Sequence, residues 1–171
     1  VGDCLVLTKQ LGCALVASTF AQGLGFVDET TANLAIRSMC LLNKYAAIGM
    51  KSAQVNACTD ITGFGFLGHL SELLQGSNVG AVVESQEGMY ILGATNLIEA
   101  GLASSAKNRN KDYVLSLCTV ECSTVKASEV ELLYEAETSG GLLISVPSAN
   151  ATTLVAKINE LQGDNFARVV G

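Results

Sequence analysis

Asp60 has the position in this sequence that is best suited to chemistry. It lies near the end of a run with strand character, Val55–Ile61, and just ahead of a glycine-rich turn that opens a predicted helix over Gly65–Gln75. A carboxylate here faces the N–H groups and the positive dipole end of a helix N-terminus, where anions bind favourably. Because magnesium prefers carboxylate and phosphate oxygens, we interpret this turn as a place that holds a metal-bound phosphate.

Other residues of the turn are candidates for the same site, and each has an ordinary alternative. Asp60 itself is also suited to be a helix N-cap or a member of an ion pair. Thr62 either contacts phosphate or caps the helix through its hydroxyl. Gly63 and Gly65 either admit a ligand or supply a positive φ, and such a glycine pair alone is a weak indication of phosphate binding. His69, among leucines, is predicted to be a hydrogen-bonded core residue rather than an acid–base catalyst.

The composition limits the classes of partner. The 171 residues predict one domain, and hydrophobic residues make up 49% of them against 15% charged, so we expect some apolar surface to meet a partner. A net charge of -6 argues against a nucleic-acid-binding face. No apolar run approaches the roughly 20 residues that span a bilayer, and the N-terminus has no signal-peptide pattern. We therefore expect neither nucleic acid nor a membrane as partner.

Two charged clusters have ordinary interpretations. The basic cluster Lys107–Lys111 is predicted to be a solvated loop, with a phosphate-contacting loop as the alternative. Four glutamates are predicted to form a solvated face: Glu129, Glu131, Glu135 and Glu137.

The six cysteines predict neither a zinc site nor a disulfide framework. They are Cys4, Cys13, Cys40, Cys58, Cys118 and Cys122, and none forms a Cys-x-x-Cys pair. Most of them stand among Leu, Val and Ala. We therefore predict buried, reduced thiols in a cytoplasmic protein, with no catalytic cysteine among them.

Strands alternate with helices along the chain, which indicates a sheet covered by helices. Predicted strands are Asp3–Thr8, Val55–Ile61, Val79–Ser85, Tyr113–Val120, Leu142–Val146 and Phe166–Gly171. Predicted helices are Glu29–Gly49, Gly65–Gln75, Ala94–Ala100 and Ser148–Leu161. Because the sequence opens without a start methionine and directly on a strand, we expect a domain of a longer chain.

Three separated motifs together resemble the selenophosphate synthetase (selenide, water dikinase) family. They are the opening Gly2–Gly12, the segment Thr59–His69 (TDITGFGFLGH) and the segment Glu137–Ile144 (ETSGGLLI). The resemblance runs over essentially the whole chain but covers only the C-terminal half of the family. Other members of the same ATP-binding superfamily, such as aminoimidazole ribonucleotide synthetase and thiamine-phosphate kinase, have different residues at the second motif.

The resemblance implies an α+β fold, a mixed sheet with helices like the AIR synthase-related C-terminal domain, forming a single C-terminal domain over residues 1–171. It implies a parent enzyme that makes selenophosphate, AMP and phosphate from ATP, selenide and water, with Mg²⁺. Asp60 would contribute to the magnesium–ATP phosphate site. The catalytic nucleophile, the other metal-binding aspartates and the homodimer contacts belong to the N-terminal half, so this chain alone is expected to be inactive.

The sequence departs from the family pattern at two places. Where Lys-Pro-Leu-Gly-Thr is expected it has Lys9–Cys13, and the loop expected as Gly-Gly-Thr-x-Arg-Asn has become Ser105–Asn110 without glycines. Two other interpretations therefore stay open. One is a domain of another synthetase or kinase of the same superfamily, and the other is a non-catalytic scaffold paralogue.

Overall fold

The computed structural model describes all 171 residues, which form four strands and eight helices. The strands are β1 (Asp3–Leu7), β2 (Ala57–Asp60), β3 (Leu142–Pro147) and β4 (Arg168–Val169). The helices are α1 (Cys13–Ala21), α2 (Glu29–Cys40), α3 (Lys44–Met50), α4 (Gly65–Gln75), α5 (Ala94–Glu99), α6 (Lys107–Leu117), α7 (Ala127–Leu132) and α8 (Ser148–Gln162). None of these helices combines the length and the apolar composition needed to cross a membrane.

The four strands form one sheet in the order β2-β3-β1-β4. Strand β3 lies antiparallel to both of its neighbours, with Asp60 opposite Leu142 on one side and Leu7 opposite Leu143 on the other. The predicted α+β fold is confirmed, but the sheet is antiparallel where a mixed sheet was expected. Strands β1 and β2 run in the same direction, yet β3 separates them, so no two named strands pair in parallel.

Helices cover both faces of the sheet because the strand residues alternate between two apolar clusters. Leu5 and Leu7 of β1 pack with Phe66 of α4 in the larger cluster. Val6, between them, packs with Ile158 of α8 in the second cluster. A third cluster extends the core away from the sheet, between α1, α2, α5 and α7.

The single helix predicted over Glu29–Gly49 is two helices. Leu41, which ends α2, has an extended backbone with φ -68° and ψ 122°, so the helical hydrogen bonds cannot continue through it. Two residues further on, the side-chain amide of Asn43 donates to the carbonyl of Gly140 at 3.0 Å. This hydrogen bond holds the start of α3 against the segment that leads into β3. A tertiary contact therefore sets this boundary, and the apolar periodicity did not show it.

Two predicted strands are wrong. Tyr113–Val120 falls largely in α6, whose inward face consists of Asn110 and Val114, one helical turn apart. Val79–Ser85 forms no regular strand, although the N–H of Glu84 donates to Val170 at 2.7 Å. In both segments β-branched and apolar residues resemble a strand, but the packing against neighbouring elements decides the structure.

All six cysteines are free, as predicted, but four of them are exposed rather than buried: Cys40, Cys58, Cys118 and Cys122. Apolar neighbours in sequence did not indicate the side of the element on which each thiol lies. Cys58, for example, is on the outward side of the edge strand β2. Cys13 is buried, and burial raises the pKa of its thiol to about 12, which is unsuited to a nucleophile.

The packing of α8 on the sheet gives a direct test of the core. Ile158 is fully buried in the second cluster, so Ile158→Ala is expected to lower the free energy of unfolding by roughly 2–5 kcal/mol through lost burial and a cavity. Ile48 on α3 is 46% exposed, so Ile48→Ala is the matched control and should cost less than about 1 kcal/mol. Urea denaturation of both variants measures the difference, and equal losses would contradict the assigned core.

Candidate functional site

The Asp60 carboxylate is exposed and available. Asp60 is the last residue of the edge strand β2, and its side chain makes no hydrogen bond and no ion pair within the chain. The residue that precedes the first turn of α4 is Phe64, so Asp60 does not cap that helix. Asp60 is therefore neither a helix N-cap nor a member of an ion pair. Its oxygens are free to bind an external ligand.

The turn after Asp60 is held closed by backbone contacts. The N–H of Ile61 donates to Gly141 at 2.8 Å, and the carbonyl of Thr62 accepts from Glu137 at 2.9 Å. A Cβ on Gly140 would overlap the carbonyl oxygen of Ile61. The second and third sequence motifs thus lie directly against each other, and only glycine fits at the point where they touch.

The two glycines of the turn differ in their roles. Gly65 has φ +72°, and a Cβ there would lie 2.6 Å from the carbonyl oxygen of Glu135, so both the conformation and the space require glycine. Gly63 is exposed, has no positive φ and has open space where a Cβ would be, so the turn does not need glycine at this position. Its carbonyl accepts from Asn110 at 2.9 Å.

The opening motif reaches the same place. A Cβ on Gly141 would lie 2.6 Å from the backbone nitrogen of Lys9. The Lys9 ammonium is buried and donates to the carbonyl of Ser139 at 2.8 Å, and burial lowers the pKa of this lysine. Three motifs that are far apart in sequence therefore meet around the segment 137–141.

Thr62 belongs to a polar chain that runs along α4. Its hydroxyl lies 3.1 Å from Nε2 of His69, whose Nδ1 lies 3.3 Å from a carboxylate oxygen of Glu72. Glu72 in turn accepts from the Tyr113 hydroxyl at 3.2 Å. The Thr62 side chain does not cap α4. His69 is 8% exposed and hydrogen-bonded, which confirms the prediction that it is a core residue.

The N-terminus of α4 is less open to an anion than expected. The N–H of Gly65 donates to Thr62 at 3.0 Å, and the N–H of Leu67 donates to Leu133 at 3.1 Å. Two of the donors expected for a phosphate are thus engaged within the chain. The exposed side of the turn, with Asp60 and Gly63, is the part that a ligand can reach.

The basic cluster is the first turn of α6 rather than a loop. Lys107 and Lys111 both pair with Glu131, and Arg109 is exposed. Asn110 is buried and donates to the carbonyls of Gly63 and Tyr134, which fixes α6 against the turn. Sequence reasoning missed this positioning role, although Asn110 is one of the two residues of this segment that agree with the family pattern.

The prediction of a solvated acidic face is wrong for two of its four members. Glu135 is 1% exposed and accepts from the N–H of Ser104, while Glu137 is 5% exposed and accepts from the N–H of Gly12 at the start of α1. Both follow the end of α7, in the irregular segment that passes beneath the turn. A buried carboxylate needs donors, and backbone N–H groups supply them here.

Burial raises the pKa of Glu137 to about 7, although the N–H groups at the start of α1 act in the opposite direction. One oxygen of this carboxylate has no hydrogen-bond partner. Desolvation therefore outweighs the helix N-terminus, and the protonated form is favoured over a range where an exposed glutamate would be ionised.

A magnesium ion fits this turn only as an ion shared with a phosphate. No three His, Cys, Asp or Glu side chains come together as a metal site, so a metal ion at this turn would have Asp60 as its single carboxylate ligand from this chain. Magnesium characteristically takes one or two carboxylates and completes its octahedron with phosphate oxygens and waters. The exposed, unpaired carboxylate of Asp60 fits that pattern.

The fold and the turn define the class of protein, an α+β domain of the AIR synthase type. A family model described as AIR synthase related protein, C-terminal domain, matches residues 1–171, and the chain belongs to this family. Among solved structures, hydrogenase maturation protein HypE in complex with ATP matches with a TM-score of 0.61 and 19% identity, over 99% of this chain and 42% of HypE, which supports the fold alone.

The curated relatives confirm the resemblance that the motifs indicated. Selenide, water dikinase 2 of Peptoclostridium acidaminophilum is 37% identical over 170 residues, covering 99% of this chain and 48% of the relative. Selenide, water dikinase of Pelobacter propionicus is 38% identical over 170 residues, also 99% and 48%. That of Caldanaerobacter subterraneus is 41% identical over 160 residues, 93% and 45%. The chain thus spans about half the length of the curated relatives it matches.

The contact between the two motifs predicts the effect of adding one methyl group. Gly140→Ala is expected to destabilise the protein by several kcal/mol or to prevent folding, because the new Cβ overlaps the Ile61 carbonyl and the backbone must move. Gly80 has open space and no positive φ, so Gly80→Ala is the matched control and should change stability by less than about 1 kcal/mol. Thermal unfolding compares them, and a stable Gly140→Ala variant would contradict the contact.

The raised pKa of Glu137 predicts how stability depends on pH. Between pH 4.5 and about 7 the folded chain keeps a proton that the unfolded chain has lost, so the free energy of unfolding falls as pH rises through this window and levels off above it. The share of Glu137 is on the order of 3 kcal/mol. Denaturation from pH 4.5 to 8 measures this share as the difference between native protein and Glu137→Gln.

The glutamine variant carries no titrating group at this position, so the two curves should diverge as the pH rises. Glu160→Gln, on the exposed side of α8, is the control and should leave the profile unchanged. Parallel profiles for native protein and Glu137→Gln would show that the buried carboxyl does not titrate in this window.

Proposed function

We propose that this chain is the C-terminal half of a selenophosphate synthetase, which makes selenophosphate, AMP and phosphate from ATP, selenide and water. The observation that carries the proposal is the meeting of three motifs around one turn, with the exposed Asp60 at its edge. The similarity to proteins named selenide, water dikinase over nearly the whole chain supports it.

Asp60 is the residue to which we assign the magnesium ligand. Bound there, magnesium would neutralise charge on the phosphate groups of ATP. Phosphoryl transfer depends mainly on positioning and on charge stabilisation, which a fixed carboxylate at a strand end can provide. Thr62, Gly63 and Gly65 would form the protein surface beside the bound magnesium–ATP, with Gly65 acting through the shape of the turn and Gly63 through its exposed backbone.

The remaining chemistry is assigned to an N-terminal half that pairs with this domain. Cys13, the one fully buried thiol, is inaccessible, and the selenide-handling nucleophile is assigned to the other half. The same proposal includes a homodimer formed through the N-terminal half and a cytoplasmic location, in keeping with six free thiols. The 171-residue chain alone is then expected to release no AMP from ATP.

The test uses the full-length polypeptide that the proposal requires, with this chain as its C-terminal half. Selenide-dependent release of AMP from ATP is expected, and Asp60→Asn should lower it by a factor on the order of 100, because the amide removes the negative charge at the metal. Asp112 is exposed on α6 and makes no ion pair, so Asp112→Asn is the matched control and should retain activity.

Each outcome has a distinct meaning. Equal activity of native protein and Asp60→Asn would support the assignment as a selenophosphate synthetase but show that Asp60 is not an essential metal ligand. Folded native protein that releases AMP only with another acceptor would assign the chain to a different synthetase. Absence of any ATP-dependent turnover would favour a scaffold protein.

A further inference from the structure

The direction of the hydrogen bond between Thr62 and His69 is set by a third residue, Glu72. A carboxylate oxygen of Glu72 lies 3.3 Å from Nδ1 of His69. An ionised carboxylate favours a proton on the ring nitrogen that faces it, so the Glu72 contact favours the tautomer of His69 with the proton on Nδ1. Glu72 is itself held by the Tyr113 hydroxyl at 3.2 Å, and the Phe64 ring lies 5.6 Å from the imidazole.

A neutral imidazole protonated at Nδ1 has a lone pair at Nε2 and can only accept there. In that tautomer Nε2, which lies 3.1 Å from the Thr62 hydroxyl, accepts the single proton of Thr62. The hydroxyl oxygen then has only lone pairs to offer to anything else. Thr62 is partly exposed, two residues after the exposed carboxylate of Asp60.

We infer that Thr62 is an acceptor-only group towards the ligand of this turn, and that His69 is the positioning residue that makes it so. Phosphate oxygens are acceptors, so a hydroxyl without a free proton cannot bond to a bare phosphate. It bonds instead to a cation or to a donor, and a water on a metal ion held by Asp60 is such a donor. This assignment rests on the metal role proposed for Asp60, and it places Thr62 on the metal side rather than the phosphate side of the site.

The hydrogen-bond direction is directly measurable because His69 is the only histidine of the chain. Labelling with ¹⁵N-histidine gives one imidazole, and a long-range ¹H–¹⁵N spectrum at pH 8 distinguishes its protonated from its unprotonated nitrogen. The expected tautomer has the proton on Nδ1. Glu72→Gln, which offers a donor as well as an acceptor, should shift the population towards the other tautomer, whereas exposed Glu121→Gln should not.

Mn²⁺ together with a non-hydrolysable ATP analogue, bound to the full-length polypeptide and followed by electron paramagnetic resonance, tests the outward side of Thr62, because the ion needs a phosphate that shares it. Thr62→Ser keeps the oxygen and should retain the native Mn²⁺ affinity. Thr62→Val has a similar shape without the oxygen and should weaken binding about fivefold, the equivalent of one hydrogen bond.

Two variants of His69 separate positioning from packing. In His69→Gln the amide oxygen of the glutamine can occupy the position of Nε2 and accept a hydrogen bond from Thr62. This variant should therefore keep its Mn²⁺ affinity within about twofold of native. An asparagine reaches only the place of Nδ1, so His69→Asn should weaken Mn²⁺ binding about fivefold, as Thr62→Val does. Equal losses in both would indicate packing alone and overturn the inference.

The remaining outcomes are also decisive. A proton on Nε2, or on both nitrogens, would reverse the hydrogen bond and overturn the inference while leaving the proposed enzyme intact. Native tautomer with unchanged Mn²⁺ affinity in Thr62→Val would remove Thr62 from the metal site. Unchanged Mn²⁺ binding in Asp60→Asn would show that the metal does not bind at this turn. It would overturn both the metal role of Asp60 and the role of Thr62.

Discussion

The structure depends on the close contact between two backbone turns, at Ile61 and at Gly140. No side chain separates them, and the hydrogen bonds from Ile61 to Gly141 and from Glu137 to Thr62 lie on either side of the contact. Because β2 and β3 pair up to Asp60 and Leu142, this contact fixes where the edge strand ends and therefore where the Asp60 carboxylate stands. Asn110 from α6 and the main chain at Gly65 then close the turn from the other side.

Much of the surrounding order is built from buried polar groups that bond to backbone. Glu135 holds the chain before α6, Glu137 holds the start of α1, and Lys9 holds Ser139. Each of these groups costs desolvation free energy, which the fixed partners partly offset. The result is a rigid base beneath an exposed turn, as a site that must place charge accurately requires.

The elements with a strong local signal were predicted from sequence, and those decided by tertiary contacts were not. The strand before Asp60 and helix α4 follow from alternation and from the glycines that bound the turn. The break between α2 and α3 depends on Asn43, which reaches Gly140 from 97 residues away, and no local pattern indicates it. The segment Tyr113–Val120 predicts a strand because its apolar residues are β-branched or large, whereas the buried face of α6 includes a polar residue, Asn110.

In the candidate site, too, some features have a local sequence signal and others depend on tertiary contacts. Asp60 is predicted as a site residue from its place at a strand end, whereas Glu137, the first residue of the third motif, is predicted only to be part of a solvated face. That Glu137 would be buried could not be derived from the acidic run in which it stands, because the run crosses the end of α7 and only its members beyond the helix are buried. The partnership of Thr62, His69 and Glu72 depends on the direction of the turn relative to α4, which is a property of the fold.

Whether Asp60 places a metal ion against a phosphate can be seen in a crystal structure of the full-length polypeptide with Mn²⁺ and a non-hydrolysable ATP analogue. An anomalous manganese peak is expected about 2.1 Å from an Asp60 carboxylate oxygen, with phosphate oxygens completing the coordination. Manganese and phosphates bound elsewhere, with the Asp60 side chain facing solvent, would contradict it.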